Sequence, residues 1–225
     1  MDKTDYTQEK LEKKYASFLP FVPETVVVGN GEFPVHPLPL SVLDKATFVV
    51  CCDGGTNALV ASGRVPDLIV GDGDSLSEEN RSRFQSRLYV NPDQETNDQT
   101  KAVSWLAARG IRRLALLAAT GKREDHTLGN ISLLLEYQRM GLEVVLLTDY
   151  GYFLPAEGNR GFAGFPGQQV SVFNFGATCL KSRGLRYPIY DFTAWWQGTL
   201  NEVTGASFSI SAEGAYLVYG TYEPK

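Results

Sequence analysis

Hydrophobic positions along this chain change their spacing near residue 150, and the change separates two kinds of sequence. Before it, short apolar runs rich in β-branched residues alternate with stretches whose apolar positions recur every three or four residues. The runs 25–28, 47–52, 67–70, 88–90, 113–119 and 143–148 read as strands, because short uninterrupted apolar runs suit strands buried on both faces. Between them the spacing predicts helices over 56–62, from Ser77 onward, through Val103, Leu106 and Ala107, and through Leu128, Ile131, Leu134 and Leu135. Ser77 can cap its helix, with Glu78 and Glu79 in the first turn, and Gly141 closes the last one. Strands alternating with helices predict an N-terminal three-layer α/β domain around a mostly parallel sheet.

After residue 150 no helical period is present. Alternating runs such as 169–173 and 215–219 are punctuated by glycine and proline, and 15 of the 26 aromatic residues fall here. That pattern predicts a small antiparallel β domain, a sandwich or a barrel. The expected organisation is an N-terminal extension over 1–20, an α/β domain over 21–150 and a β domain over 151–225. The extension is polar, with a weak helical pattern at Leu11, Tyr15 and Phe18.

Composition adds bounds. The 225 residues are 43% hydrophobic and 21% charged, enough for packed cores without covalent staples. Three cysteines, of which Cys51 and Cys52 are adjacent, provide neither a disulfide framework nor metal-ligand spacing. A net charge of −5 argues against a nucleic-acid or anionic-membrane surface but leaves a small phosphorylated ligand open. No apolar run approaches the roughly 20 residues that span a bilayer. The start Met1-Asp2-Lys3-Thr4-Asp5 lacks a signal-peptide layout, so a cytoplasmic protein is expected.

Candidate chemistry collects at strand ends. Asp53-Gly54-Gly55, Asp72 to Ser75 and Thr120 to His126 each follow a strand, and open α/β sheets bind ligands beyond the carboxyl ends of their strands. If the backbone stays extended through Gly73, Asp72 and Asp74 project to one side. Two anions about 4 Å apart repel by roughly 4 kcal/mol at an effective dielectric near 20, so a cation, a shared proton or water is expected there. Asp98 opens a helix, and Asp125 stands between Arg123 and His126. There is no Walker A loop and no three-glycine dinucleotide fingerprint. Only two histidines, His36 and His126, are present, which argues against a His-based zinc site. An all-oxygen set is Mg²⁺ chemistry; arginine for phosphate and glycine backbone for close approach suit phosphoryl-type transfer.

These motifs, in this order, resemble the thiamine pyrophosphokinase family, and the resemblance runs from about Val26 to Val218. Asp53-Gly54-Gly55 with Asn57 is similar to its first motif, and Pro66-Asp67 with Gly71-Asp72-Gly73-Asp74-Ser75 to its second. Pro92-Asp93-Gln94, Asp98 and Thr100-Lys101 match the third, and Thr120-Gly121-Lys122-Arg123, Asp125-His126, Leu128 and Asn130 the fourth. Gly184 to Pro188 and Asn201-Glu202 resemble its thiamine-binding segments. The resemblance implies an α/β catalytic domain, a C-terminal β-sandwich and a homodimer with active sites between subunits. It implies transfer of pyrophosphate from ATP to the thiamine hydroxyl, giving thiamine diphosphate and AMP. It also implies Mg²⁺ on Asp72, Asp74 and Asp98, phosphate on Arg123, and Asp125 in the same polar cluster. Asp53, Gly54, Gly55, Asn57, Thr120, Gly121 and His126 would serve the nucleotide; Gln94, Tyr187 and Asn201 would serve thiamine. The chain departs from the family at four places: Gly73 for a bulkier residue, often Phe; Asn97 for Thr; Lys122 for Gly; and Leu200 for Ser. A metal-dependent phosphoesterase and a non-catalytic nucleotide or thiamine sensor stay open as alternatives.

Overall fold

The computed structural model describes residues 19–93 and 95–224. Most of the expected N-terminal extension, and Gln94, lie outside the described residues. Contacts divide the chain into Pro23–Asp149 and a second unit that includes 150–224.

The first unit is a parallel sheet. Its strands are β1 (Thr25–Val28), β2 (Phe48–Cys52), β3 (Leu68–Gly71), β4 (Leu88–Val90), β5 (Arg113–Leu117) and β6 (Glu143–Leu147), in the order β6-β5-β1-β2-β3-β4. Every neighbouring pair is parallel, so each connection crosses over, and each carries a helix. The helices are α1 (Pro37–Lys45), α2 (Gly55–Ala61), α3 (Glu78–Arg83), α4 (Asp98–Ala107) and α5 (Glu124–Arg139). The central strands are apolar throughout because both faces are covered: Val26 and Val28, like Leu114 to Leu117, are fully buried.

Two helices differ from expectation. α1 is hidden in the sequence by Pro37 and Pro39, yet proline is tolerated in a first turn, where its missing N–H has no intrahelical partner. The turn is closed by His36, whose Nδ1 accepts the Leu38 N–H at 3.1 Å. The Asp149 carboxylate accepts the N–H groups of Val35 and His36, each at 2.9 Å. In α5 the buried stripe is Leu134, Leu135 and Tyr137, whereas Leu128 is 57% exposed. The first turns of α5 line a pocket instead of covering the sheet.

The second unit holds β7 (Gly151–Glu157), β8 (Arg160–Ala163), β9 (Gln168–Asn174), β10 (Thr178–Arg183), β11 (Asn201–Glu202), β12 (Ser207–Glu213) and β13 (Ala215–Pro224). Antiparallel pairing gives β11-β9-β13-β7 on one side and β10-β12-β8 on the other. Val170, Val172, Tyr216 and Val218 from the first set and Leu180, Phe208, Ile210 and Ala212 from the second share one core. Their period of two along each strand is the alternation of a β-sandwich.

Candidate active site

The strand order puts a switch point between β1 and β5, where successive crossovers leave in opposite directions and the loops part. A pocket of about 320 Å³ opens there, walled by residues that follow β1 (Asn30, Gly31), residues that follow β5 (Gly121, Lys122, Arg123), and His126 and Asn130 of α5. Its two loops are laced together. The Gly29 N–H reaches the Leu117 carbonyl at 2.8 Å, Gly31 reaches Ala118 at 2.6 Å, and Glu32 reaches Thr120 at 2.8 Å. Only glycine fits at position 31, where a Cβ would stand 2.2 Å from the Thr120 oxygen.

Lys122 explains one departure from the family pattern. Its φ is +59°, the left-handed region in which glycine is the usual residue. The ammonium group donates to the Asn30 carbonyl at 2.9 Å and to Asn30 Oδ1 at 3.2 Å, which offsets the backbone cost. Arg123 is the N-cap residue of α5 and pairs through both its Nε (3.1 Å) and Nη2 (2.5 Å) with the Asp125 carboxylate. That guanidinium holds the Asp125 carboxyl below its usual range, helped by the His126 N–H. Both side chains are largely exposed, so the pair is a presented surface group and contributes little to stability. Asn130 spans the pocket floor, donating to the Ala119 carbonyl at 2.7 Å and accepting from the Asn97 amide at 3.0 Å. Asn97 also caps α4 by accepting the Thr100 N–H at 2.9 Å, so asparagine meets the cap requirement at that position.

Acidic groups gather beyond β2, β3 and the start of α4. Asp53 is 3% exposed; its Oδ2 accepts the Ser75 N–H at 2.9 Å, and among the described residues its Oδ1 has no hydrogen-bond donor. Burial raises its pKa, the Ser75 N–H opposes the rise, and Asp98 and Asp72 add to it. Asp98 is held by Lys101, whose Nζ lies 3.2 Å from Asp98 Oδ1 and whose side chain is 5% exposed. Asp74 differs from expectation. Gly73 has φ +83°, so the backbone turns between Asp72 and Asp74, and the Asp74 N–H bonds to Asp72 Oδ1 at 3.1 Å. Alternation along an extended strand therefore does not apply to that pair; an Asx turn sets their placement. The carboxylates that act on one another are Asp53, Asp72 and Asp98, and among the described residues no three His, Cys, Asp or Glu side chains form a ready metal cage.

Several other expected residues take positioning jobs. Gly55 lets α2 begin against β1, since a Cβ would meet the Gly29 oxygen at 2.4 Å; Gly54 similarly backs onto Asn30. Asn57 donates to the Ser75 carbonyl at 2.8 Å and accepts from the Ser77 N–H at 3.1 Å and the Asn80 amide at 2.9 Å. It clamps the acidic loop to α3. Lys101, Asn30 and Asn130 belong to the site although the candidate set omitted them. Lys101 and Asn130 lay inside quoted motifs, but nothing in the spacing marks a buried lysine.

In the second unit, Asn201 clamps Tyr187: Oδ1 accepts the Tyr187 N–H at 3.1 Å and Nδ2 donates to the Tyr187 carbonyl at 2.8 Å. Oδ1 also accepts the Glu202 N–H at 2.9 Å, so the amide keeps one N–H to offer. The Tyr187 ring is 57% exposed, with the Arg186 guanidinium 6.0 Å from its centroid. Arg186 is fixed to Glu202 at 2.9 Å.

Two domain models match in tandem, each covering one kind of sequence: "Thiamin pyrophosphokinase, catalytic domain" over residues 40–146 and "Thiamin pyrophosphokinase, substrate-binding domain" over 151–219. The chain belongs to the thiamin pyrophosphokinase family. Among curated members, Thiamine pyrophosphokinase of Bacillus subtilis (strain 168) is 28% identical over 138 residues, 58% of this chain and 64% of that protein. Thiamine pyrophosphokinase 1 of Oryza sativa subsp. japonica is 31% identical over 149 residues, 55% of each. The match therefore spans less than two thirds of either relative. The solved yeast thiamin pyrophosphokinase superposes with a TM-score of 0.76 at 17% identity, covering 95% of this chain and 89% of that one. The Bacillus subtilis structure gives 0.73 at 21% identity, with 88% and 98% covered. At these identities the superpositions show a shared fold.

Proposed function

We propose that this chain is a thiamine diphosphokinase, transferring pyrophosphate from ATP to the hydroxyl of thiamine to give thiamine diphosphate and AMP. The observation that carries this reading is the switch-point pocket with Arg123 at its rim, in a sheet where Asp53 and Asp72 follow the next two strands and Asp98 opens α4. Arg123, at the start of α5, holds Asp125 through Nε and Nη2, which leaves its Nη1 edge to turn toward phosphate oxygens. Gly31 and Gly121 let the two pocket loops close on each other, since a Cβ there would meet the Thr120 oxygen or the Glu32 side chain.

The residues fit a hard cation. Asp53 Oδ1 is a buried carboxylate oxygen without a donor among the described residues, and Mg²⁺ usually takes one or two carboxylates with phosphate oxygens and water completing its shell. Asp72, Asp74 and Asp98 would hold it, with Asp53 beside them. When bound, the ion supplies neutralisation of charge on the triphosphate. Lys101 fixes Asp98, and the cluster takes the proton of the attacking hydroxyl. Tyr187 offers an aromatic face to the cationic thiazolium of thiamine, and Asn201 keeps that ring in place. A homodimer in the cytoplasm with sites between subunits completes the reading; no helix among the described residues is long and apolar enough to cross a membrane.

One assay tests it. The protein is incubated with ATP, Mg²⁺ and thiamine, and AMP and thiamine diphosphate are followed. AMP formed only with thiamine supports the proposal. Phosphate released without thiamine would mark a phosphoesterase, and binding without turnover a sensor; either overturns it.

A further inference from the structure

Gly73 is buried between Asp72 and Asp74 although the loop around it faces solvent. What covers it is Arg81. A Cβ at position 73 would lie 2.9 Å from Arg81 Nη2, 3.5 Å from Cζ and 3.6 Å from Nε, so the guanidinium lies across the glycine. Arginines keep their charged heads in water, and Arg81 is exposed. This one folds back over backbone, on a helix fixed to the acidic loop by the Ser77 cap and by Asn57. Its own N–H bonds to the Ser77 carbonyl at 2.8 Å. Its guanidinium nevertheless makes no hydrogen bond or ion pair with a described residue, so its five donors stay open.

We propose that Arg81 is a second phosphate-binding cation of this site, and that glycine at position 73 is what gives it room. The proposal rests on the ATP reading above. A guanidinium over the loop that carries Asp72 and Asp74 meets the phosphate oxygens that those carboxylates alone would repel. A bulky side chain at 73 would fill the same space and push the guanidinium away.

The test uses the full chain with Arg81→Ala and Arg81→Lys. Inorganic tripolyphosphate carries the phosphates without the nucleoside, and adenosine the reverse. For Arg81→Ala the expected result is a roughly tenfold weaker inhibition by tripolyphosphate and a similar rise in KM for ATP, the scale of one charge-assisted hydrogen bond. KM for thiamine and inhibition by adenosine should stay unchanged, and Arg81→Lys should restore part of the loss. A merely structural role would not separate the two inhibitors. Tripolyphosphate inhibition within twofold of wild type overturns the proposal. If the wild type makes no thiamine diphosphate, the functional reading fails by itself, and calorimetric binding of tripolyphosphate to wild type and Arg81→Ala still decides the role of Arg81.

Discussion

Gly71 presents its bare Cα to Asp53: a Cβ there would stand 2.7 Å from Asp53 Cβ and 3.4 Å from Asp98 Oδ2. The last residue of β3 is thus the spacer between two carboxylates that come from different elements. Gly71→Ala should push Asp53 out of its place, cost about 1–3 kcal/mol by overpacking, and remove most turnover. Urea unfolding with a parallel activity assay checks both; an active variant of normal stability would show that the spacing is not needed.

Asp53 should itself cost the fold stability. Burial, Asp98 and Asp72 raise its pKa above the ordinary value of 3.8. The folded state then binds more protons than the unfolded state between those two values, so this contribution to stability falls as pH rises through that window and stays low above it. Asp53→Asn keeps an oxygen for the Ser75 N–H and removes the charge. It should melt higher than wild type at pH 7, by roughly 2–4 °C for each kcal/mol relieved, with the difference shrinking toward pH 4 and turnover falling. Equal melting temperatures at pH 7 count against it.

Asp74 is exposed and, among the described residues, hydrogen-bonded only through its backbone, so Asp74→Asn should leave the melting temperature unchanged while abolishing formation of thiamine diphosphate. Near-normal activity in that variant removes Asp74 from the metal set.

Behind Asp98 lies a buried link. The Tyr137 hydroxyl, its pKa pushed up to about 12 by burial, sits 2.9 Å from Thr100 Oγ1 and accepts from the Gln99 amide at 3.4 Å. Tyr137→Phe leaves those polar groups of α4 short of a partner, at about 1–3 kcal/mol. Because both directly follow Asp98 in the first turn of α4, kcat should drop with little change in KM for thiamine. A variant that loses neither stability nor kcat shows that the link does not position Asp98.

Leu200 has φ +61° with its side chain 70% exposed. A left-handed conformation costs a non-glycine residue about 1–2 kcal/mol, partly repaid through its stiffer unfolded chain. Leu200→Gly should therefore raise the unfolding free energy by up to about 1 kcal/mol, seen as a higher denaturation midpoint at constant m-value. A lowered midpoint would mean that Leu200 packs on something that its exposure does not reveal.

The strands of the α/β unit were legible because burial on both faces leaves continuous apolar runs, as in Leu114 to Leu117. Their order was not, since nothing local says that β5 lies beside β1, and the pocket exists only because of that order. α1 was masked by its own prolines. Asp53, Asp72 and Asp98 could be found as carboxylates that follow strands or open a helix. The turn at Gly73 could not, because a glycine allows an extended or a left-handed backbone equally. The amide clamps of Asn57, Asn130 and Asn201 are tertiary facts: an asparagine in a loop looks the same whether its amide holds a neighbour or a ligand.

The tether from Lys122 to Asn30 has a kinetic consequence. With both pocket loops already joined, a nucleotide would enter walls that need not reorganise. Association should then follow a single exponential whose rate rises linearly with ATP concentration, without the plateau that a slow loop closure imposes. Lys122→Ala would free the Asn30 loop, and the plateau should appear.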